Sequence, residues 1–446
     1  MTRRSSTQLT TTAPPMRRVA VSVVVGTTVE WYDFILYGSA AALVLGPLYF
    51  PSADPVASTL LAFSTFAVGF VARPLGGIVL GHFGDRLGRK KMLVLSLSMM
   101  GVATFLMGLL PTYASIGVAA PLILVLLRLV QGFGVGGEWG GAVLTAVEYA
   151  SPRRRGFYGS LPQIGVPAGL FLATGGFFLV AQMPEEAFLS WGWRIPFLAS
   201  IVLVAIGMVV RFTLAETPVF EQVTRVRQAA RVPLAEALRT YPKQIVLATS
   251  SMISTGAYFY VVNTYALSYA ASAEVVSRNT MLVAVLLSAL VAVAALPYFG
   301  ALAQRRGRRP MILIGLAAMS VWIFPTFLAI DSGSVPLILL AYVVGAVLFS
   351  VSYGPQATFI TELFDARVRF SASSMSFQLG VLLGGAVAPL VAASLIAATG
   401  TSMSVAGYVC VVSAVSLVSV LLVSRRDLAT GSRDMDAAAR EEVTAE

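Results

Sequence analysis

The chain is poor in the residues that build most reactive centres. Among its 446 residues there is one cysteine, Cys410, and one histidine, His82. A single cysteine excludes an intrachain disulfide, and one histidine in the other half of the chain offers no ligand spacing for a metal. No glycine-rich loop ending in Lys-Ser or Lys-Thr occurs, so the phosphate cradle of ATP-driven machines is missing. These gaps argue against an enzyme and against any metal or organic cofactor. Charge is scarce as well: 12% of residues are Asp, Glu, Lys or Arg, against about 25% in soluble domains.

Apolar runs are what the chain has in quantity. A helix of about 20 apolar residues crosses a hydrocarbon layer of about 30 Å. Runs of that kind extend from Val19 to Leu48, Val56 to Phe83, Met92 to Leu110, Ala119 to Ala146, Phe157 to Ala181 and Trp193 to Phe212. Six more follow at Ile245 to Ala270, Asn279 to Ala303, Met311 to Ala329, Pro336 to Phe364, Phe370 to Ala398 and Met403 to Val423. The expected fold is an all-α integral membrane protein with twelve transmembrane helices. The first run is too long for a signal-peptide core and is read as a retained helix.

A net charge of +10 would fit a nucleic-acid partner if the positive residues were spread over a soluble surface. They are not. Arg17 and Arg18, Arg86 to Lys91, Arg153 to Arg155, Arg211 to Lys243, Arg305 to Arg309, Arg367, Arg369, Arg425 and Arg426 all fall on one side of a twelve-helix topology, with Arg278 the exception. The positive-inside rule then puts both termini in the cytoplasm of a multi-pass protein of the plasma membrane, with no role for nucleic acid.

The polar stretch 213–244, near the midpoint, divides the chain into halves at 19–212 and 245–424, with tails at 1–18 and 425–446. Its Phe220, Val223 and Val226 interleave with arginines, which fits either short amphipathic helices on the membrane surface or a solvated linker. The halves echo each other. "GHFGDRLGRKK", Gly81 to Lys91, aligns with "GALAQRRGRRP", Gly300 to Pro310, and the separation of Glu148 from Arg155 is repeated by Glu362 and Arg369. Such a repeat predicts two pseudo-symmetric six-helix bundles around a central pathway.

Gly81, Asp85, Arg86, Gly88, Arg89, Lys90 and Lys91 resemble the loop signature of the major facilitator superfamily. "EWYDF", "RLVQGFGVGGEWGG" and "SWGWRIPFL" are similar to its metabolite:proton symporter family, which includes permeases for shikimate, 2-oxoglutarate, citrate and proline or betaine. The first half resembles the shikimate branch. The resemblance implies that Gly81, Asp85, Arg86, Gly88 and Arg89 form a conformational latch, with Glu148 and Arg155 among its partners. In the second copy Gln304 stands where Asp85 stands in the first, so a weaker latch is expected there. Arg73 is a further latch or gate candidate.

Within the first span, Glu30 lies 11 residues beyond Val19, about 16 Å along a helix rising 1.5 Å per residue and so near the bilayer midplane. Asp33 follows one turn on, and Tyr37 shares the face. A charge exposed to lipid there would cost about 2.5 to 3.5 kcal/mol, so these acids should meet a watery cavity or a partner. Two carboxylates one turn apart resist being ionised together, which makes Glu30 and Asp33 the candidate proton-coupling pair. In the fourth span Arg128, Gln131 and Glu138 form a polar stripe. Arg128 can hold a carboxylate in two parallel hydrogen bonds. Two roles fit it: binding an anionic substrate while exchanging partners with Asp33, or a permanent interhelical salt bridge. Glu138 fits a gate, a relay acid or a static hydrogen bond.

Tyr258, Tyr265 and Tyr269 share a face of the seventh span, where Asn263 is the lone amide; either packing or an aromatic wall for substrate would use them. Gln163, Gln356 and Gln378 complete the pocket candidates. His82, beside the latch, fits pH sensing or a solvated interfacial position. The function expected is proton-coupled import of a small organic acid by a monomer, with the proton as coupling ion. Uptake of a zwitterionic osmolyte and export of drugs or metabolites are the alternatives, although the short tail after Arg426 lacks the heptads of osmosensing coiled coils.

Overall fold

The structure is a computed structural model that describes residues 16–51, 54–87, 89–136, 138–148, 150–151, 153–213, 233–272, 275–365, 368–424 and 427–428. The described residues are helical almost throughout, as they must be where no water can satisfy backbone groups. In chain order the long helices are α1 (Met16–Tyr49), α2 (Pro55–Leu87), α3 (Arg89–Leu109), α4 (Ala119–Val147), α5 (Arg155–Val180) and α6 (Arg194–Thr213). The second half contributes α7 (Pro242–Ala271), α8 (Arg278–Arg306), α9 (Arg308–Asp331), α10 (Val335–Thr361), α11 (Arg369–Thr399) and α12 (Met403–Leu422). Ten of these are long and apolar enough to span alone. α6 does so with Glu185–Gly192, from which it is bent by 44°, and α3 supplies a shorter apolar stretch, Val94–Leu109.

All twelve expected spans are therefore helices, with ends displaced by a few residues. Polar end residues such as Arg155, Arg278 and Arg308 extend the helices past the apolar stretch, which hydropathy alone does not register. A short helix, Pro233–Thr240, precedes α7; Phe220, Val223 and Val226 lie outside the described residues. The first helix of each half carries a five-residue π turn, at Ala41–Leu45 in α1 and Val261–Tyr265 in α7. On the side away from the arginine-rich loops, Arg194 joins Arg278 as a second exception to the charge bias. Its guanidinium donates to the carbonyls of Ser190 at 2.7 Å and Leu110 at 3.3 Å.

Within the first half α1 lies along α5 and α2 along α4; the halves meet where α5 runs along α8 and α2 along α11. Glycines set the closest approaches. A Cβ on Gly132 of α4 would sit 2.8 Å from the carbonyl carbon of Gly69 in α2, a distance real side chains do not tolerate. Small residues facing each other in this way let helices dock backbone to backbone in lipid.

Candidate substrate and proton site

Glu30 stands 14 residues after the start of α1 at Met16, and Arg73 stands 14 residues before the end of α2 at Leu87. Antiparallel helices thus bring them to the same depth. Nη2 of Arg73 donates to Oε1 of Glu30 at 3.3 Å, and both side chains are 1% exposed. The rings of Trp31, Phe34 and Phe70 surround the guanidinium, their centroids 5.0, 4.7 and 5.6 Å from its carbon. Cation–π attraction of this kind replaces part of the lost hydration. Arg73, expected among the gate residues, is therefore part of the central ion pair. Side chains on a helix lean toward its N-terminus, and in α2 that direction leads away from the arginine-rich face.

Asp33 is fully buried; neither carboxylate oxygen has a hydrogen-bond partner within 3.5 Å, and the Thr104 hydroxyl is the polar neighbour that acts on it. No ion pair joins it to Arg128. Instead Arg128 donates through Nη1 to Oε1 of Gln131 and through Nη2 to the Phe66 carbonyl at 3.5 Å. Gln131 in turn donates to the backbone carbonyl of Asp33 at 3.0 Å and to Oγ1 of Thr104 at 2.7 Å. The Arg128 guanidinium lies 4.0 Å from the Phe34 centroid and 4.2 Å from that of Tyr37. Gly69 makes the room: a Cβ there would meet Arg128 Nε at 2.5 Å. Tyr37 shares its hydroxyl hydrogen bond with Thr65 at 2.6 Å.

The second half meets this cluster with aromatic and amide groups. Tyr260, which the face shared by Tyr258, Tyr265 and Tyr269 excludes, packs its ring 5.4 Å from both Phe66 and Phe70. Tyr258 and Asn263 line a cavity of about 30 Å³ with Ser288, Tyr342 and Phe349, room for one or two waters and for no organic solute in this conformation. Asn263 donates to the Phe259 carbonyl at 3.0 Å and accepts from Ser288 at 3.2 Å. The Tyr258 hydroxyl has no hydrogen-bond partner within 3.5 Å, Thr326 being the polar side chain that acts on it.

The three glutamines divide by role. Gln356 donates to the Ser251 carbonyl at 2.8 Å and accepts from Thr255 at 3.2 Å, which ties α10 to α7 inside the second half. Gln163 and Gln378 cross between halves: Gln163 accepts from Trp139 at 3.0 Å and donates to the Tyr353 carbonyl at 3.4 Å, and Gln378 donates to the Gly136 carbonyl at 3.1 Å. Trp139 stacks on Phe377 with ring centroids 3.8 Å apart. Sequence reasoning missed Trp139, Tyr260 and Thr104, since an aromatic or hydroxyl in an apolar run looks the same whether it packs or bridges.

Of the latch candidates, Gly88 lies outside the described residues, as do the side chains of Asp85, Arg86, Arg89, Glu138, Glu148 and His82; Gly81 lies within α2. The second copy is visible. Gln304 accepts from the backbone N–H of Gly156 in the first turn of α5 at 3.1 Å, so it reaches across the halves. Its amide oxygen also accepts from Nη2 of Arg308 at 3.0 Å. Glu362 pairs with Arg308, and the charges of Arg155 and Arg369 also act on it.

The family model for "Sugar (and other) transporter" matches residues 19–255, and that for "Major Facilitator Superfamily" matches residues 276–442. The chain is 40% identical to the inner membrane metabolite transport protein YhjE of Escherichia coli, over 91% of this chain and 93% of that one. It is 41% identical to the shikimate transporter of the same organism, over 90% and 93%, and 35% identical to its proline/betaine transporter, over 91% and 82%. Among solved structures it resembles the xylose transporter XylE of Escherichia coli in a partially occluded inward-open conformation. The TM-score is 0.70 at 16% identity, over 91% of this chain and 96% of that one.

Proposed function

The chain belongs to the major facilitator superfamily of secondary active transporters, and from that premise we propose that it imports a small organic acid together with a proton. The buried Glu30–Arg73 pair, with the unbonded carboxylate of Asp33 one turn away, carries this reading. An ionised carboxylate with no partner in a water-free core is strongly disfavoured, so Asp33 is suited to hold a proton. Arg128 is held by a neutral amide and a carbonyl rather than by an acid. Its charge is thus available to a substrate carboxylate, for which a guanidinium fork is well shaped.

The cycle follows from these contacts. Protonation of the coupled Glu30/Asp33 pair loosens Arg73, substrate engages Arg128, and the halves rock about Gln163, Gln378 and the Trp139–Phe377 stack to open the other side. The proton belongs to the pair as a unit. In the same reading the protein acts as a monomer in the plasma membrane, its termini and arginine-rich loops cytoplasmic. Relatives named for metabolite and shikimate transport support an organic acid as the substrate. A second reading, uptake of a betaine, draws on the relative named for proline and betaine and on the rings of Phe66, Phe70 and Tyr260, whose faces suit a quaternary ammonium.

Purified protein in proteoliposomes should accumulate labelled shikimate or 2-oxoglutarate when the lumen is alkaline. Accumulation that survives collapse of the proton gradient, or that is unchanged by Asp33→Asn, would sink the proposal. Accumulation of betaine but of no acid would replace it with the second reading.

A further inference from the structure

On the arginine-rich face a cleft of about 330 Å³ opens between the two halves, lined by Arg153, Arg154, Phe157 and Tyr158 from the start of α5 and by Gln304 and Arg305 from the end of α8. That is at the small end of the range of about 300 to 1,000 Å³ typical of ligand sites. Topology alone explains arginines on this face. It does not explain why arginines from different halves converge on one hollow, nor why no ion pair forms on Arg153, Arg154 or Arg305 among the described residues. Nearby, Arg308 pairs with Glu362 and Arg309 donates to the Val420 carbonyl at 3.1 Å, so arginines here do find partners. The cleft also has an apolar flank. Phe157 lies in the first turn of α5, just after Arg154, and Tyr298, 62% exposed, precedes Arg305 by seven residues on the same face of α8, so both rings are exposed on the spanning helices beside these arginines.

We propose that this cleft binds the phosphodiester headgroup of an anionic phospholipid, its acyl chains lying along Phe157 and Tyr298. Basic hollows between transmembrane helices near the charged face of a bilayer favour such headgroups. Guanidinium forks match the phosphate oxygens, and aromatic rings at the boundary suit the glycerol and upper acyl region. A soluble phosphate would satisfy the arginines equally, but it has no use for the lipid-facing rings. The site lies where α5 and α8 of the two halves approach closely. A Cβ on Gly300 would lie 2.6 Å from the Gly156 carbonyl oxygen, directly beneath the hydrogen bond from Gly156 to Gln304.

The test is lipid titration of the purified full chain in neutral detergent, with bound lipid counted by native mass spectrometry. Phosphatidylglycerol, phosphatidylcholine with the same acyl chains, and inorganic phosphate serve as probes. Phosphatidylglycerol should bind selectively and more weakly as salt rises. The double variant Arg154→Gln/Arg305→Gln should bind it about 30-fold more weakly, a factor of about five for each charge removed near the surface. Arg239→Gln, on the helix before α7, should leave binding unchanged, and Arg154→Lys/Arg305→Lys should retain most of it. Equal binding of the two lipids by the wild type overturns the proposal whether or not the variants fold. So does an equal loss in Arg239→Gln. Competition by inorganic phosphate at the concentration that saturates the protein without lipid would reassign the cleft to a soluble anion.

Discussion

The two halves share a fold and differ in what they bury. The first half places Glu30, Asp33, Arg73 and Arg128 in the middle of its helices, each at 0% or 1% exposure. In the second half the charged residues of the described helices sit near helix ends, as with Arg278, Arg308, Asp331 and Arg369. Its centre holds neutral groups: Tyr258, Tyr260, Asn263 and Gln356. Buried charge is expensive in lipid and is kept where a charge must move or be met. The first half is thus equipped for the ion and for an anionic group, and the second for shape and for hydroxyls.

That contrast is most directly broken at the ion pair. Arg73→Ala takes the guanidinium away from the buried Glu30 and should lower stability by about 3 to 5 kcal/mol, the usual effect of removing one partner of a buried pair. Gln356→Leu in the second half should stay well below that. Thermal unfolding in detergent checks both, and equal losses would mean that the charges of the first half are no more integral than the amides of the second. Next in size is Gly69→Ala. Its methyl group would press on Arg128 Nε, 2.5 Å away, and should cost about 1 to 3 kcal/mol as an overpacked contact. Binding of an acid substrate should weaken with it, whereas Gly407→Ala, which meets nothing within 4 Å, should leave binding intact.

A smaller stability change, with a sharper functional signature, is expected from Asp33→Asn. Neither oxygen of Asp33 has a partner within 3.5 Å and an amide oxygen can still face the Thr104 hydroxyl, so stability should move by about 1 kcal/mol or less, or rise. Gradient-driven accumulation should disappear while substrate exchange across the membrane persists. Loss of exchange as well would show Asp33 to be needed for substrate rather than for the proton.

Much of this was legible in the sequence, for physical reasons. Hydrophobic length fixes a spanning helix, so all twelve were visible, and a carboxylate in such a run stands out by its energy. What periodicity does not carry is the partner. Glu30 and Asp33 share a face of α1, yet one pairs with Arg73 and the other with no cation, because the outcome depends on the depth and lean of side chains on α2 and α4. Arg73 reads from the sequence as a latch or gate candidate, and only the packing of α2 on α1 shows that it meets Glu30. Tyr260 was hidden by a different cause: it lies off the face of Tyr258, and only the docking of the halves shows that it closes over Phe66 and Phe70.

The finest test of the division between halves is Tyr258→Phe. The hydroxyl of Tyr258 is buried, lines the small cavity of the second half and makes no hydrogen bond there. Removing an oxygen with no partner within 3.5 Å and only Thr326 beside it should change stability by about 1 kcal/mol or less. If the second half reads substrate hydroxyls, that same change should weaken a hydroxylated acid such as shikimate by about tenfold, the scale of one neutral hydrogen bond left unmade. It should leave 2-oxoglutarate, which has no hydroxyl, untouched. Thermal-shift titration with the two acids separates these outcomes. Equal affinities for wild type and variant with both ligands would assign Tyr258 to packing, and would move the reading of substrate hydroxyls to Asn263 or out of the second half altogether.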